Sequence, residues 1–212
     1  MLEKTKNNDS ELKGAVILAG GDSKRLGQPK ALLDFNGRSL IEIMVTRLFE
    51  LFPEITVVTD RPELYGDLPV RLTGDLLKEG EKSPLRGIHA GLISSTLPYQ
   101  FMVACDMPFL NLELIKYMGR VVSGYDAVVP LIGRYYQPLY AFYNRSCIDI
   151  IEKQLSLGRY RVTELYAGLK IRYISLPEIL RFDPDQKTFI NINTWDDYQR
   201  ALEIMAGKNE PG

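Results

Sequence analysis

Cysteine and histidine are scarce in this chain of 212 residues, which contains two cysteines and one histidine. Cys105 and Cys147 are too few for the disulfide framework of a small secreted protein, and they fit a reducing compartment. With His89 as its single histidine, the chain lacks the residues for a zinc site built from cysteine and histidine. A metal ion would therefore be held by carboxylates, a ligand set that suits Mg²⁺.

Long hydrophobic runs and an excess of one charge are also missing. No apolar run approaches the length of a membrane span, and residues 1–13 are polar and mixed in charge, unlike a signal peptide. The 26 basic and 27 acidic residues leave a formal net charge of −1, which gives no electrostatic footprint for a nucleic acid or an anionic membrane. We therefore expect a cytoplasmic protein without a nucleic-acid or membrane partner, in which a local site binds any anion.

Short apolar runs alternate with longer amphipathic segments along the chain. This pattern predicts a three-layer, Rossmann-like α/β fold with a mostly parallel mixed sheet. Strands are predicted at 15–18, 55–59, 70–72, 101–105, 127–130, 139–143 and 171–175, and helices at 40–52, 85–95, 112–122, 147–157 and 195–205. We expect a single domain over residues 14–206, with a disordered tail at 1–13 and a frayed end at 207–212.

A glycine-rich segment follows the first predicted strand. Gly20 and Gly21 let the backbone approach an anion closely, and three cations follow within the next nine residues: Lys24, Arg25 and Lys30. This combination favours a nucleoside triphosphate. The segment matches neither G-x-x-x-x-G-K-[ST] nor G-x-G-x-x-G. The alternative is an ordinary turn from strand to loop with solvated cations.

Two aspartates come after predicted strands. Asp106 follows the strand at 101–105, and Pro108 prevents that strand from continuing, so Asp106 should lie at the same sheet edge as the glycine segment. A carboxylate beside a triphosphate would repel it unless a cation lay between them. Asp106 could instead be a helix N-cap or a turn residue. Asp75, after the strand at 70–72, is a weaker case of the same kind.

Two further segments carry small or amide side chains. Gly87, Ala90 and Gly91 in the helix at 85–95 allow close approach to a neighbouring strand or a ligand, whereas His89 is read as a packed or surface residue. Near the end, residues 189–193 resemble the end of a strand that carries Asn191 and Asn193 on one face. These amides could reach a ligand, or one of them, or Thr194, could be the N-cap of the last helix.

Taken together, these segments resemble the molybdenum cofactor guanylyltransferases, nucleotidyltransferases that attach GMP from GTP to molybdopterin with Mg²⁺. The motifs that carry the resemblance are Leu-Ala-Gly-Gly at 18–21, Ser-x-Arg-x-Gly at 23–27, Pro-Lys at 29–30, Pro-Leu-x-Gly at 84–87, Cys-Asp-Met-Pro at 105–108 and Asn-Ile-Asn-Thr at 191–194. They span the chain from residue 14 to about residue 206, and the Leu-Ala-Gly-Gly form resembles the guanylyl branch more than the cytidylyl branch.

The resemblance implies a role for each matching residue. GTP would be bound by Leu18, Ala19, Gly20, Gly21, Lys30, Asp75 and Asp106. The same resemblance implies that Asp106 binds Mg²⁺, that Arg25 and Lys30 act on the triphosphate during catalysis, and that Asn191 and Asn193 lie on the pterin side. The resemblance does not specify which residues bind the pterin phosphate. Arg134, Arg159 and Arg161 lie in segments that could reach it.

Three hypotheses for the function follow from the sequence. The first is GMP transfer from GTP to molybdopterin, with transient contact to molybdoenzymes or their chaperones during cofactor delivery. The second is another nucleotidyl transfer, by a molybdopterin cytidylyltransferase or a sugar-phosphate nucleotidyltransferase. The third is a nucleotide-binding module without catalysis.

Overall fold

The computed structural model describes residues 13–21, 26–76 and 81–207. In chain order its strands and α-helices are β1 (Lys13–Leu18), β2 (Asp34–Phe35), β3 (Arg38–Ser39), α1 (Leu40–Leu48), β4 (Ile55–Val58), β5 (Arg71–Thr73), α2 (Pro84–Ile93), β6 (Tyr99–Ala104), α3 (Leu112–Arg120), β7 (Ala127–Ile132), β8 (Tyr135–Tyr136), β9 (Tyr140–Asn144), α4 (Cys147–Ser156), β10 (Ile171–Ser175), α5 (Leu176–Ile179) and α6 (Trp195–Met205). Short 3-10 helices occupy Lys30–Leu32, Pro62–Leu64, Val162–Gly168 and Lys187–Phe189.

The main sheet has the strand order β10-β7-β9-β6-β1-β4-β5, with β8 paired to the end of β7. Strand β1 is an inner strand and pairs in parallel with β4 and with β6, so that Leu18 lies beside Val58 on one side and Ala104 on the other. Strand β9 runs antiparallel to both of its neighbours, β6 and β7. The prediction of a mostly parallel mixed sheet is confirmed, and the parallel half brings the carboxyl ends of β1, β4 and β6 to one edge.

Helices cover both faces of this sheet. Successive side chains of a strand point to opposite faces, so neighbouring residues pack against different helical layers. Ile17 packs in the cluster with residues of α1, α3 and α6, whereas its neighbour Val16 packs in the cluster with residues of α2 and α4. The strands are therefore apolar on both faces, as expected for a parallel sheet between two helical layers. The predicted three-layer arrangement is confirmed. The longest helix among the described residues is α6 with 11 residues, and none of those helices is long and apolar enough to cross a membrane.

Local sequence signals explain where several elements begin. Ser39 and Thr194 form capping boxes at the starts of α1 and α6, and the side chain of Asn111 accepts a hydrogen bond from the third residue of α3. One alternative for the 191–194 segment, that Thr194 is the N-cap of the last helix, is thus confirmed. The turn between β2 and β3 is made by Asn36 and Gly37, with φ of 56° and 84°, the left-handed backbone that a tight hairpin requires.

The small residues of α2 allow that helix to lie directly on strand β1. A Cβ atom added at Gly91 would lie 2.7 Å from a methyl carbon of Val16, and one at Gly87 would lie 3.2 Å from a methyl carbon of Leu18. The predicted close approach to a neighbouring strand is confirmed. Because α2 begins at Pro84, this contact fixes its first turn beside the carboxyl end of β1.

Some predicted boundaries differ from the structure. The helix predicted at 40–52 ends at Leu48, and Phe49 is its C-cap, whose N–H still donates to the Val45 carbonyl. The next two residues instead donate to carbonyls three residues back, so the chain leaves the helix through a tighter turn. Strand β1 begins at Lys13, one residue before the predicted start of the domain, and residues 1–12 and 208–212 lie outside the described part of the chain. The predicted strand end at 189–193 was wrong. Residues 187–189 form a 3-10 turn, and the next three residues contact the main fold through the hydrogen bond from Ile192 N–H to the Asp106 carbonyl, 2.9 Å long.

Candidate active site

A cavity of about 410 Å³ opens at the carboxyl edge of the parallel strands. This is the edge at which α/β folds bind their ligands. The cavity is lined by the end of β1 and the start of the glycine segment, the ends of β4 and β6, and the residues that lead into α2. Its lining consists of Leu18, Ala19, Gly20, Gly21, Pro29, Lys30, Ala31, Val58, Thr59, Asp60, Tyr65, Asp75, Lys82, Ser83, Pro84, Ala104, Cys105, Asp106 and Leu139.

Gly20 and Gly21 lie on the open wall of this cavity. Both are exposed, and a Cβ atom added at either would meet no atom of the described residues within 4 Å. Neither has a left-handed backbone. Two glycines at an exposed position in the cavity wall leave the backbone open to the close approach of a ligand. The N–H of Ala19 already donates to the Val58 carbonyl at 2.8 Å, so this amide belongs to the sheet.

Three segments that are distant in sequence meet at the amino group of Lys30. Its Nζ atom lies 2.8 Å from Oδ2 of Asp106 and 2.8 Å from Oδ1 of Asn193. Lys30 comes from the glycine segment, Asp106 from the turn after β6, and Asn193 from the residues that precede α6. The side chains of Lys30 and Asp106 are 17% and 22% exposed, so the pair lies in the wall of the cavity where a ligand can reach it.

Of the other predicted site residues, one lies in the cavity wall, one lies away from Lys30, and one lies outside the described residues. Asp75 lies in the wall of the same cavity as Lys30 and Asp106. Asn191 does not join Asn193 at Lys30, because its side-chain amide donates to the Phe189 carbonyl at 3.3 Å. Arg25 lies outside the described residues, and so does Lys24.

Each carboxylate in the cavity wall is paired with a cation. Asp106 pairs with Lys30 at 2.8 Å, Asp75 with Arg86 at 2.8 Å, and Asp60 with Lys82 at 2.6 Å. Lys30 and Lys82 themselves line the cavity, whereas Arg86 is 3% exposed and lies behind it. The site thus carries carboxylates that could face a metal ion and cations that could face phosphates.

Sequence reasoning missed three residues of this wall, Asp60, Tyr65 and Lys82, and also Arg86, which lies behind the wall and pairs with Asp75. Asp60 follows a predicted strand in the same way as Asp75, and that position was the available signal. The sequence contains no comparable signal for Arg86, since its role depends on the three-dimensional contact with Asp75.

Potential nucleophiles in the cavity wall are held in their neutral forms. Burial and the neighbouring charge of Asp106 raise the pKa of the Cys105 thiol to about 12. Burial also raises the pKa of the Tyr65 hydroxyl above its ordinary value. His89 does not line the cavity, and its Nε2 atom lies 2.9 Å from Glu152 in α4, which confirms it as a packed residue. Covalent catalysis by the Cys105 thiolate or the Tyr65 phenolate is therefore not favoured.

The donors at Asp106 fit a magnesium ion better than a metal held by protein ligands alone. Among residues 13–21, 26–76 and 81–207, no three acidic, cysteine or histidine side chains come together in a group that could hold a metal. Mg²⁺ commonly binds through one or two carboxylates together with waters and substrate phosphates. Asp106 supplies one such carboxylate at the cavity wall.

A glycine segment and a lysine–aspartate pair that line one cavity at the carboxyl edge of a mixed sheet are the features of a nucleotidyltransferase. Comparison with known proteins specifies the branch. The chain belongs to the MobA-like NTP transferase domain family, whose model matches residues 15–171.

Similar proteins match nearly the whole chain. The probable molybdenum cofactor guanylyltransferase of Peptoclostridium acidaminophilum is 39% identical over 205 residues, covering 93% of this chain and 92% of its own. The molybdenum cofactor guanylyltransferase of Syntrophotalea carbinolica is 36% identical, covering 88% of this chain and 89% of its own. The crystal structure of molybdopterin-guanine dinucleotide biosynthesis protein A from Archaeoglobus fulgidus superposes with a TM-score of 0.79 at 28% identity, covering 92% of this chain and 99% of that one.

Proposed function

We propose that this chain transfers GMP from GTP to the terminal phosphate of molybdopterin, in a reaction that requires Mg²⁺ and releases pyrophosphate. The product would be the molybdopterin guanine dinucleotide. The observation that carries the proposal is that Lys30, which contacts Asp106 and Asn193, lines the same cavity as Gly20 and Gly21. The names of the similar proteins support guanylyl transfer as the particular reaction.

The reaction we propose is an in-line displacement at the α-phosphorus of GTP. An oxygen of the molybdopterin phosphate forms a bond to this phosphorus, and the bond from the phosphorus to the oxygen bridging to the β-phosphate breaks. The electron pair of the broken bond leaves with pyrophosphate. Because the attacking phosphate is already an anion, no side chain has to remove a proton, which is consistent with the neutral Cys105 and Tyr65 in the wall.

Catalysis would then depend on positioning two anions and on balancing their charge. Lys30 would bind the GTP phosphates from the position where Asn193 and Asp106 hold its amino group. The exposed backbone at Gly20 and Gly21 would let the triphosphate approach closely. Asp106 would hold Mg²⁺, which supplies additional positive charge to the phosphate oxygens when bound. Arg25 is proposed to act on the same triphosphate.

The proposal is tested by measuring pyrophosphate release from GTP, CTP, ATP and UTP, each with Mg²⁺ and with or without molybdopterin. We expect release with GTP and molybdopterin together. Asp106→Ala should abolish turnover, because it removes the carboxylate that would hold the metal. Glu113→Gln is a matched control, since Glu113 is an exposed carboxylate on α3 and pairs only locally, with Lys116, in the described structure.

The outcomes separate the alternatives. Turnover with CTP and molybdopterin in preference to GTP would indicate a cytidylyltransferase, and turnover with a sugar phosphate instead of molybdopterin would indicate a different acceptor. GTP binding without any release of pyrophosphate would indicate a binding module. Activity of Asp106→Ala near the wild-type level at saturating Mg²⁺ would remove Asp106 from the metal site.

Delivery of a labile cofactor gives a reason to expect transient contact with molybdoenzymes or their chaperones. A pull-down with a molybdoenzyme chaperone, in the presence and absence of GTP and molybdopterin, tests this expectation. The cytoplasmic location stays a prediction from the sequence.

A further inference from the structure

The three ion pairs in the cavity wall differ in what can happen to them when a nucleotide binds. Lys30 and Lys82 line the cavity, so phosphates can attract their amino groups away from Asp106 and Asp60. Arg86 is 3% exposed and does not line the cavity, and its Nε atom lies 2.8 Å from Oδ2 of Asp75. The positive charge beside Asp75 is therefore the one that a ligand cannot reach.

Arg86 also contacts the chain on the other side of the 77–80 segment. Its Nη1 atom donates to the Glu81 carbonyl at 3.2 Å, two residues before Ser83, which lines the cavity. The guanidinium group is rigid and planar, so one side chain can hold a carboxylate and a carbonyl in a fixed relation. It lies in the first turn of α2, which Gly87 and Gly91 fix against β1.

A carboxylate in the wall of a triphosphate site weakens binding of the triphosphate unless a cation balances its charge. Two negative groups a few ångströms apart in a partly buried site repel each other strongly, and a nearby cation reduces this repulsion. For Asp106 the balance would come from Mg²⁺ and Lys30. For Asp75, Arg86 provides such a cation within the described residues.

We propose that Arg86 is a positioning residue for nucleotide binding: it holds the Asp75 carboxylate in place and balances its charge while the cations of the cavity turn to the phosphates. This inference rests on the proposed function, because the ligand is GTP. It adds a residue that does not itself touch the nucleotide and acts through Asp75.

The test measures the Kd of GTP by calorimetry with Mg²⁺, together with the thermal unfolding midpoint, for the wild type and for Arg86→Met. We expect Arg86→Met to bind GTP about tenfold more weakly or worse, because removing one partner of a buried charge pair leaves the other unbalanced. Arg145→Met is the matched control. Arg145 donates to the Leu92 carbonyl at 2.7 Å, at the opposite end of α2, so its loss should affect stability and leave the GTP affinity unchanged.

A double-mutant cycle with Asp75→Asn distinguishes positioning from a general loss of structure. If Arg86 acts through Asp75, then Arg86→Met should change the Kd by less than about twofold in the Asp75→Asn background. A loss of equal size in both backgrounds would overturn the inference. So would a folded Arg86→Met variant that binds GTP as tightly as the wild type.

Should Arg86→Met fail to fold, the pair Arg86→Lys and Arg86→Gln decides the question. Lysine keeps the charge, and glutamine keeps a hydrogen-bond donor without the charge. We expect the lysine variant to bind GTP at least about fivefold more tightly than the glutamine variant, and equal affinities would overturn the inference. Failure of the wild-type protein to bind GTP would overturn the proposed function, whereas wild-type binding with insensitive Arg86 variants would overturn this inference alone.

Discussion

The amino group of Lys30 lies 2.8 Å from the carboxylate of Asp106, although 76 residues separate them in the sequence. Asn193 accepts a second hydrogen bond from the same amino group at 2.8 Å, across 163 residues. This contact joins the glycine segment, the turn after β6 and the residues before α6 at one point. Lys30, which we propose binds the phosphates, is therefore in direct contact with Asp106, which we propose holds the metal.

Replacement of Lys30 by methionine should weaken GTP binding. A charge-assisted hydrogen bond contributes about 1.5–3 kcal/mol, so we expect the Kd of GTP to rise by about ten- to a hundredfold. Calorimetric titration with GTP and Mg²⁺ measures this change. Lys116→Met is the control, because Lys116 pairs with Glu113 on the exposed surface of α3. An unchanged GTP affinity in Lys30→Met would remove Lys30 from the site.

The two asparagines near the C-terminus should differ in their effect on GTP binding. Asn193→Ala removes an acceptor from Lys30, and the loss of about 0.5–1.5 kcal/mol corresponds to a two- to tenfold weaker affinity for GTP. Asn191→Ala should leave the Kd of GTP unchanged, since its side chain contacts the Phe189 carbonyl instead. Titrating both variants in parallel makes the comparison. Equal losses in the two variants would contradict the separation that the structure makes between them.

Gly20 and Gly91 should respond to substitution in opposite ways. Gly20→Ala places a methyl group where no described residue lies within 4 Å, so we expect an unchanged or slightly higher unfolding temperature. We also expect a loss of turnover of about ten- to a hundredfold, because the methyl group would displace the triphosphate. Gly91→Val forces its side chain against Val16, which should cost about 1–3 kcal/mol of stability. Thermal unfolding and pyrophosphate release, measured on both variants, test the pair. Full activity of Gly20→Ala would argue against a close approach of the ligand at that residue.

The two cysteines should make the stability of the fold depend on pH in the alkaline range. Burial is the main cause that raises the pKa of Cys105 and of Cys147 from 9.0 to about 12 in the folded chain. The folded protein therefore retains these protons more strongly than the unfolded chain. Their contribution to stability is present below pH 9 and is lost as the pH rises toward 12.

Chemical denaturation between pH 8 and pH 11 measures this dependence. The free energy of unfolding should fall less steeply with pH in the variant that combines Cys105→Ala with Cys147→Ala than in the wild type. Tyrosines contribute to the decline in both proteins, so the difference between the two slopes is the quantity to compare. Identical slopes would contradict the raised pKa values of the thiols.

The fold could be predicted well from the sequence wherever local pattern and burial agree. The helix at 195–205 begins and ends where the structure has it, because a capping box at Thr194 and an amphipathic pattern point to the same boundaries. The strand at 171–175 is likewise confirmed. The pattern failed at 189–193, where alternating asparagines resembled a strand. The backbone hydrogen bonds of this segment are made in a 3-10 turn and with the Asp106 carbonyl. No local sequence signal encodes the contact with Asp106.

The sequence by itself determined the chemistry available to this protein. Its scarcity of cysteine and histidine predicted carboxylates as the ligands of any metal, its adjacent glycines indicated an anion site, and the order of its motifs matched one family. The tertiary structure decided which of these residues lie together, since contacts across 76 and 163 residues depend on how strands are ordered in the sheet. It brought Asn193 to Lys30 and left Asn191 apart, and it placed the buried Arg86 beside Asp75. Periodicity reports which face of an element is buried, but it carries no information about which distant side chain lies opposite.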